Sequence, residues 1–434
     1  MSGIGIALIA FAALTLLIYL GLHISTALLL VAFFGTWILR GDAVLAADML
    51  GIAVTDAVTD YDYGVIPLFV LMGFLVMVSG VGKDSYLVAH HMMRRVPGGL
   101  GHATIIGNAI FSAITGVSVA AVVLFTKLAV PEMVERGYGK RFAVGVVAGS
   151  AMLGMLIPPS VLMIIYAVLT EVSIGDLFIA GVVPGIILTA AFCGITWFLA
   201  RRDPEHFGRA AAVCEADPGW RELAGQTVPI VGLIALVLGG MYGGVFTATE
   251  GGAVGAAAAL LVAMWRRALD WETFRKVLID TGYVTASLIL IIAAANIYAR
   301  FLAMSGLPGA LSNWIGEMQL GLWAIMAVYI AVLLLLGTAL DSASTVLIAV
   351  PLFSVLFKNA GADLVWIGII TMIATEIGLI TPPLGMAPFV LKSTLNDPSI
   401  SLHDIYMGAL PFAAAAFATL LLIVAFPMLS IGLL

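Results

Sequence analysis

The chain has 434 residues, of which 62% are apolar or aromatic and only 10% are charged. A soluble protein of this length would fold as two or three domains, with about a quarter of its residues charged. The 19 basic and 25 acidic residues, with a formal net charge of −6, are too few to cover such domains, which excludes soluble enzymes, nucleic-acid-binding proteins and disordered scaffolds. Cys193 and Cys214 provide no disulfide framework and no CxxC motif. The composition indicates a polytopic membrane protein.

The apolar segments predict the membrane-spanning helices. A helix that crosses a bilayer needs about 20 mostly apolar residues. Such segments occur at about 4–20, 22–39, 64–81, 141–168, 177–200, 226–242, 246–264, 281–303, 362–391 and 405–430. No basic segment precedes the first of them and no small-residue cleavage site is evident, so we expect a retained helix and not a signal peptide.

Two longer apolar stretches, at 102–130 and 322–357, fit poorly as single crossings because small polar residues lie at their centres. The first centres on residues 115–118 (TGVS) and the second on residues 341–344 (DSAS). Each could be one kinked helix. We favour two re-entrant helical hairpins, since irregular backbone at membrane depth is tolerated where protein or a water-filled cavity satisfies it.

The basic residues test this arrangement, because cytoplasmic loops are enriched in Lys and Arg. If both hairpins return to the side they entered from, 16 of the 19 basic residues lie on one side. These are Lys83, Arg94, Arg95, Lys127, Arg136, Lys140, Arg141, Arg201, Arg202, Arg209, Arg221, Arg266, Arg267, Arg275, Lys276 and Lys392. The other side keeps Arg40, Arg300 and Lys358 and an acidic loop with Asp42, Asp48, Asp56, Asp60 and Asp62. Both termini are therefore predicted to be outside.

The sequence also contains an internal repeat. The motif Gly-x-x-x-Pro-Pro at 154–159 recurs 224 positions later at 378–383, and the same offset aligns Ser118 with Ser342. Five predicted crossings separate the two hairpins, so the second copy is inverted relative to the first. The alternative is a chance recurrence of Pro-Pro. The predicted domains are listed in chain order: a first repeat at 1–200 (scaffold helices 1–81, hairpin 102–130, broken helix 141–168), a cytoplasmic linker at 201–225, and a second repeat at 226–434 (scaffold helices 226–303, hairpin 322–357, broken helix 362–391).

Inverted repeats with interrupted helices are typical of secondary transporters, which bind their cargo near the midplane. Two prolines in a row should unwind about one turn of helix and free several carbonyl groups, which suit a hard cation. We therefore expect two Na⁺ sites, each built from one hairpin tip and one broken helix. The first set is Thr115, Gly116, Ser118, Gly154 and Pro158, and the second is Asp341, Ser342, Gly378, Thr381 and Pro382. The substrate is expected between the tips, near Ser118, Ser160, Ser342 and Ser344.

Ionisable residues inside the membrane are functional candidates because their burial is costly. Asp341 could bind a cation or cap a half-helix, and Glu376 could have a functional role or anchor its broken helix through the freed amides. Arg300 could bind an anionic substrate or extend to the membrane interface. The sequence contains no paired nucleophile and base and no transition-metal motif, so we expect no enzymatic activity and no cofactor other than Na⁺ as the coupling ion.

The chain resembles the large membrane subunit of tripartite ATP-independent periplasmic (TRAP) transporters over nearly its whole length. The resemblance is carried by IPLF at 66–69, LIPPS at 156–160, SIGDLF at 173–178 and EIGLITPP at 376–383. It implies an all-α elevator-type transporter with two inverted repeats, about ten transmembrane helices and two hairpins. It also implies Na⁺-coupled uptake of organic acids, such as C4-dicarboxylates or sugar acids, across the bacterial inner membrane.

The resemblance further implies two partners, a small four-helix membrane subunit and a periplasmic substrate-binding protein. We expect the small subunit to be a separate chain. The alternative function is a stand-alone Na⁺- or H⁺-coupled carboxylate permease that needs no binding protein.

Overall fold

The structure is a computed structural model that describes residues 2–59, 61–204, 207, 219–317, 321–383 and 385–434. Its described elements are α-helices, apart from one short 3₁₀ helix and one isolated bridge. The helices of the first half are α1 Gly3–Tyr19, α2 Ile24–Arg40, α3 Ala43–Thr59, α4 Val65–Ser79, α5 Val81–Met93, α6 Gly99–Thr115, α7 Ser118–Glu135, α8 Lys140–Ser150, α9 Leu153–Leu156, α10 Val161–Thr170 and α11 Ile174–Arg202. Those of the second half are α12 Trp220–Tyr242, α13 Ala248–Trp265, α14 Trp271–Ser305, α15 Leu307–Glu317, α16 Leu322–Gly337, α17 Ser342–Asn359, α18 Leu364–Ile380, α19 Met386–Leu395, α20 Leu402–Ala425 and α21 Met428–Ile431.

Every predicted membrane span coincides with one helix or with an interrupted helix. By length and composition, six helices of the described residues are long and apolar enough to cross a membrane, or up to eight if two bent helix pairs each count as one span. These pairs are α4–α5, bent by 64°, and α8–α10, bent by 42°. Four further apolar helices, α1, α2, α16 and α18, are shorter. The prediction of an all-α polytopic membrane protein is confirmed.

Two segments predicted as loops are helical. The acidic loop is largely α3, which begins where the Asp42 carboxylate accepts hydrogen bonds from the N–H groups of Val44 (2.8 Å) and Leu45 (3.1 Å). The basic segment around Lys83 is α5, whose apolar face is buried. Both loop predictions were wrong because charged residues, such as Asp48 in α3 and Lys83 in α5, suggest a loop, whereas both helices are stabilised by a face that packs against the protein. Residues 205–206 and 208–218 of the predicted linker, with Arg209 and Cys214, lie outside the described residues, as do Asp60 and Leu384.

Both predicted hairpins contain a non-helical tip at the expected position. The helices α6 and α7 meet at Gly116 and Val117, and α16 and α17 meet at residues 338–341. The two arms of each pair pack against each other. Neither stretch therefore forms a single kinked helix.

Both Pro-Pro motifs interrupt their helices as predicted. The first break comprises residues 157–160 between α9 and α10, and the second lies between α18 and α19, with residues 381–383 and 385 described. The Pro158–Pro159 and Pro382–Pro383 peptide bonds are cis.

Two Ser-Gly corners with the same hydrogen bonds connect α4 to α5 and α14 to α15, the helices that precede the two hairpins. At the end of α4, the Ser79 hydroxyl donates to the Val76 carbonyl (2.7 Å) and accepts from Val81 N–H (3.4 Å). At the end of α14, the Ser305 hydroxyl donates to the Leu302 carbonyl (2.6 Å) and accepts from Leu307 N–H (3.2 Å). The glycines that follow, Gly80 and Gly306, have φ values of +80° and +75°. Each corner thus turns the chain into the helix that leads to a hairpin, α5 in the first half and α15 in the second.

The two halves also contact each other directly, through α8 and α20. A Cβ on Gly145 would collide with the backbone of Gly408, and a Cβ on Gly408 would collide with the Arg141 carbonyl oxygen. At the same end, Arg141 forms an ion pair with Asp404 at 3.0 Å. The two glycines let the helices cross in backbone contact, which holds the first broken helix against the second half.

Candidate functional site

The first tip, residues 115–118, lies directly against the first break. Gly116 has a φ of +65°, which glycine adopts without steric cost. A Cβ at this position would collide with the Pro159 carbonyl oxygen. The Gly116 carbonyl accepts a hydrogen bond from Val161 N–H at 3.3 Å. The first tip is therefore docked on the backbone that the Pro-Pro motif unwinds.

Of the predicted first sodium set, Gly116, Ser118 and Gly154 meet at this contact, beside the Pro158–Pro159 peptide. A Cβ on Gly154 would lie 2.8 Å from the Ser118 Cα and 2.9 Å from its backbone nitrogen. The Thr115 hydroxyl donates to the Phe111 carbonyl within its own helix at 2.9 Å. The residues of the first sodium set thus form one cluster. Within it, the Thr115 side chain forms its hydrogen bond inside its own helix.

The second tip, residues 338–342, shows what Asp341 does in the structure. Its carboxylate accepts a hydrogen bond from Ser344 N–H at 3.3 Å and another from the Ser344 hydroxyl. Asp341 is therefore the N-cap of α17, which was one of the two roles left open. A cation-binding role for the same carboxylate stays a prediction.

The remaining members of the second sodium set lie at the end of α18. A Cβ on Gly378 would lie 2.7 Å from the Gly337 Cα, so α18 and α16 are in backbone contact just before the second tip. The Thr381 N–H donates to the Gly378 carbonyl at 3.0 Å, and its hydroxyl donates to the Ile377 carbonyl at 2.6 Å. Pro382 follows at the break itself. The second set therefore brings together the end of one hairpin arm and the unwound end of α18.

One carboxylate connects the two tips. The Ser118 hydroxyl donates to Glu376 Oε2 at 3.1 Å, and the Ser342 hydroxyl donates to Glu376 Oε1 at 2.7 Å. Glu376 is 1% exposed and both serines are buried. Within the described part of the chain, its hydrogen bonds therefore come from the tips and not from freed amides of its own helix. The sequence marked Glu376 as an intramembrane carboxylate but did not reveal this link, because Ser118 lies 258 positions away along the chain.

The predicted substrate residues divide into three groups: two serines at Glu376, two serines that form hydrogen bonds close to them in sequence, and Arg300. Ser118 and Ser342 meet at Glu376. Ser160 caps α10, donating to the Met155 carbonyl (2.8 Å) and accepting from Met163 N–H (3.4 Å), and the Ser344 hydroxyl donates to Asp341. Arg300 forms an ion pair with Asp56 of α3 at 3.0 Å, with both side chains about half exposed. Ser118 and Ser342 are thus the predicted substrate residues that the structure brings to the junction of the tips.

Two interrupted helices that meet two hairpin tips inside an apolar helical protein define a class, the membrane transporters. The family described as "Tripartite ATP-independent periplasmic transporter, DctM component" matches residues 6–429. The chain therefore belongs to this family, as the sequence motifs predicted.

Individual relatives agree with this assignment. The C4-dicarboxylate TRAP transporter large permease protein DctM of Pseudomonas aeruginosa is 32% identical over 385 residues, which is 88% of each chain. The 2,3-diketo-L-gulonate TRAP transporter large permease protein YiaN of Escherichia coli is 29% identical and covers 94% of each chain. Since these relatives are permease subunits, the chain is a transporter component and not an enzyme.

A solved structure with a similar fold is the YdaH transporter of Alcanivorax borkumensis. Its TM-score is 0.66 at 14% identity, covering 94% of this chain and 98% of that one. At this identity the similarity concerns the fold, which is that of a membrane transporter.

Proposed function

We propose that the chain is the large permease subunit of a Na⁺-coupled importer of organic acids in the bacterial inner membrane. In this proposal a periplasmic binding protein delivers the substrate, a small membrane subunit completes the complex, and both termini of this chain are periplasmic. The substrate is an organic acid such as a C4-dicarboxylate or a sugar acid. The family membership and the substrates named for the relatives support it.

The observation that carries the Na⁺ coupling is the convergence of both tips with both broken helices. The unwound backbone at residues 157–160 and 381–383 offers carbonyl oxygens, and Ser118 and Ser342 offer hydroxyl oxygens. Uncharged oxygens of this kind coordinate Na⁺ in interrupted-helix transporters, while helix N-termini attract a carboxylate. The N-termini of α7 and α17 begin at the tips, at Ser118 and Ser342, so an organic anion between the tips would face the positive ends of two helices.

An elevator movement is part of the proposal, and the two Ser-Gly corners support it. The helices α4 and α13 pack against each other, as do α14 and α2, whereas the hairpin helices α7, α16 and α17 pack mainly with the broken helices. The chain leaves the first group at Gly80 and Gly306 and reaches the hairpins through α5 and α15. The corners are therefore the positions at which a moving part could turn relative to a stationary one.

The proposal is tested by reconstitution in liposomes. The chain is assembled with its small subunit and binding protein, and uptake of a radiolabelled C4-dicarboxylate is followed with and without an inward Na⁺ gradient. Uptake is expected only with the gradient and with both partners. Uptake by the chain alone would favour a stand-alone carboxylate permease, and uptake that ignores Na⁺ would refute the coupling.

The site assignment has its own test in the same assay. Ser118→Ala and Asp341→Ala are each expected to raise the Na⁺ concentration for half-maximal uptake by about tenfold, as expected for the loss of one oxygen contact to a charged group. Ser393→Ala is the control, because this exposed hydroxyl donates to the Val390 carbonyl of its own helix, its one hydrogen bond among the described residues. Unchanged Na⁺ dependence in both variants would contradict the assignment.

A further inference from the structure

Glu376 is the one described residue that receives a side-chain hydrogen bond from each hairpin tip. Oε2 accepts from Ser118 of the first tip and Oε1 accepts from Ser342 of the second. None of the ion pairs among the described residues includes this carboxylate. A buried carboxylate whose protein partners are two neutral hydroxyls is costly unless positive charge lies close by.

The direction of the two hydrogen bonds matters for cation binding. A serine hydroxyl has one hydrogen and two acceptor lone pairs. When Ser118 and Ser342 donate their hydrogens to Glu376, the lone pairs of both oxygens remain free to face a cation. If the carboxylate were absent, each hydroxyl could rotate and turn its hydrogen toward the cation position, which would weaken binding.

The backbone of Glu376 is held in place by its surroundings. Every residue of α18 from Val365 to Ile380 is buried, and the helix contacts α16 through Gly378 and Gly337. The Tyr329 hydroxyl lies 2.8 Å from the Thr371 hydroxyl on the same helix. The carboxylate is therefore a fixed acceptor against which both tips are aligned.

We infer that Glu376 is a positioning residue shared by the two proposed Na⁺ sites, which orients the hydroxyl ligands of both tips and makes their occupancies interdependent. The inference rests on the proposed Na⁺ coupling. A cation at one tip keeps the serine hydrogen there turned toward Glu376, which fixes the carboxylate in the orientation that also accepts the hydrogen from the serine at the other tip. The two sites should consequently bind Na⁺ cooperatively, and loss of the carboxylate should weaken both.

The test uses Glu376→Gln in the complete reconstituted transporter. Glutamine has the same shape, but its amide group can accept from one serine only and must donate to the other, which then points its hydrogen elsewhere. We expect the Na⁺ concentration for half-maximal uptake to rise about tenfold and the Hill coefficient for Na⁺ to fall toward 1. The substrate KM at saturating Na⁺ should change much less, a separation that a purely structural role would not produce.

The matched control is Glu272→Gln, since Glu272 lies exposed in the first turn of α14. Combining Glu376→Gln with Ser118→Ala, or with Ser342→Ala, should raise the Na⁺ concentration for half-maximal uptake by less than the product of the two single fold-changes, because the substitutions disrupt the same hydrogen bonds. If Glu376→Gln fails to fold, as judged by size-exclusion chromatography, the Ser118→Ala and Ser342→Ala variants and their combination provide the test. Fully independent effects of these two substitutions on the Na⁺ concentration for half-maximal uptake would overturn the inference.

The outcomes separate the inference from the proposed function. A wild-type transporter that ignores Na⁺ would refute the proposed function itself. The shared positioning role alone would be refuted by a different result. In that result the wild type depends on Na⁺ and the single serine variants shift the Na⁺ response, but Glu376→Gln leaves both the half-maximal Na⁺ concentration and the Hill coefficient unchanged.

Discussion

The contact between Gly154 and the first tip allows a prediction whose size follows from the structure. In Gly154→Ala the added methyl carbon would lie 2.8 Å from the Ser118 Cα. Non-bonded carbons approach to about 3.5–4.0 Å, so the tip would have to retreat by roughly 0.7 Å or more. Overpacking of this kind costs about 1–3 kcal/mol, of which the better helix propensity of alanine offsets at most about 1 kcal/mol.

The same retreat should affect the link to Glu376. The Ser118–Glu376 hydrogen bond is already 3.1 Å long, and a further displacement of roughly 0.7 Å would lengthen it beyond useful hydrogen-bonding distance. A net cost of about 1–2 kcal/mol lowers the population of the docked tip by a factor of about 5–30. We therefore expect Gly154→Ala to raise the Na⁺ concentration for half-maximal uptake about tenfold and to lower the thermal midpoint of the purified protein in detergent.

Gly194→Ala is the matched control, because Gly194 lies inside α11 and a Cβ there meets no atom within 4 Å. This variant should leave uptake unchanged and the midpoint equal or slightly higher. If Gly154→Ala also behaved like the wild type in both measurements, the first tip would not dock on Gly154 in the transporting protein. The account of the first Na⁺ site would then be wrong.

Four further substitutions test other parts of the fold. Gly408→Ala should lower the thermal midpoint by forcing α8 and α20 apart, at a cost of about 1–3 kcal/mol, and a midpoint like that of Gly194→Ala would contradict the backbone contact. Gly80→Ala and Gly306→Ala place a Cβ at φ values of +80° and +75°, which costs about 1–2 kcal/mol. Each should slow maximal uptake in liposomes while the Na⁺ concentration for half-maximal uptake stays the same. A shift in that concentration would argue against a role confined to the corners. The hydrogen bonds from Ser399, with Lys140 and Lys392 nearby, lower the pKa of Asp397 in the loop before α20. The resulting stabilisation of the folded protein is present above the usual carboxyl pKa of about 4 and is lost as the pH falls through the lower pKa of the folded state. Asp397→Asn should therefore lower the thermal midpoint at pH 7, by an amount that shrinks on acidification. A difference in midpoint that is independent of pH would refute this prediction.

The sequence predicted the elements that depend on local chemistry. Long apolar segments located the spans, and the paired prolines located both breaks at the residues where helix ends in the structure. The small polar residues at 115–118 and 341–344 located both tips. Each of these signals acts through the backbone of its own segment, by removing a hydrogen-bond donor or by permitting a turn, so no knowledge of distant contacts is required.

The elements that depend on tertiary contacts were not predictable in the same way. The helices α3 and α5 are stabilised by packing of one face, Ala46, Ala53 and Ala57 in the case of α3, while their other faces carry charges that suggest a loop. The role of Glu376 depends on two serines, one of them in the opposite half of the chain. Because hydropathy and spacing describe one segment at a time, they marked this carboxylate as costly without indicating which groups compensate it.

The Ser-Gly corners show why the repeat extends further than the gap-free alignment reveals. Ser79 precedes Ser305 by 226 positions, whereas Ser118 precedes Ser342 by 224, so the first half has two more residues between corner and tip. An alignment without gaps therefore loses the corners once it is registered on the tips. The chemistry is nevertheless the same, since each corner needs a residue that tolerates positive φ and a hydroxyl that satisfies the N–H group following it. Such a requirement depends on the local turn and not on the length of the arm that follows, so an arm can gain or lose residues while its corner is kept. The two corners should accordingly respond alike to substitution, although the segments between corner and tip differ in length.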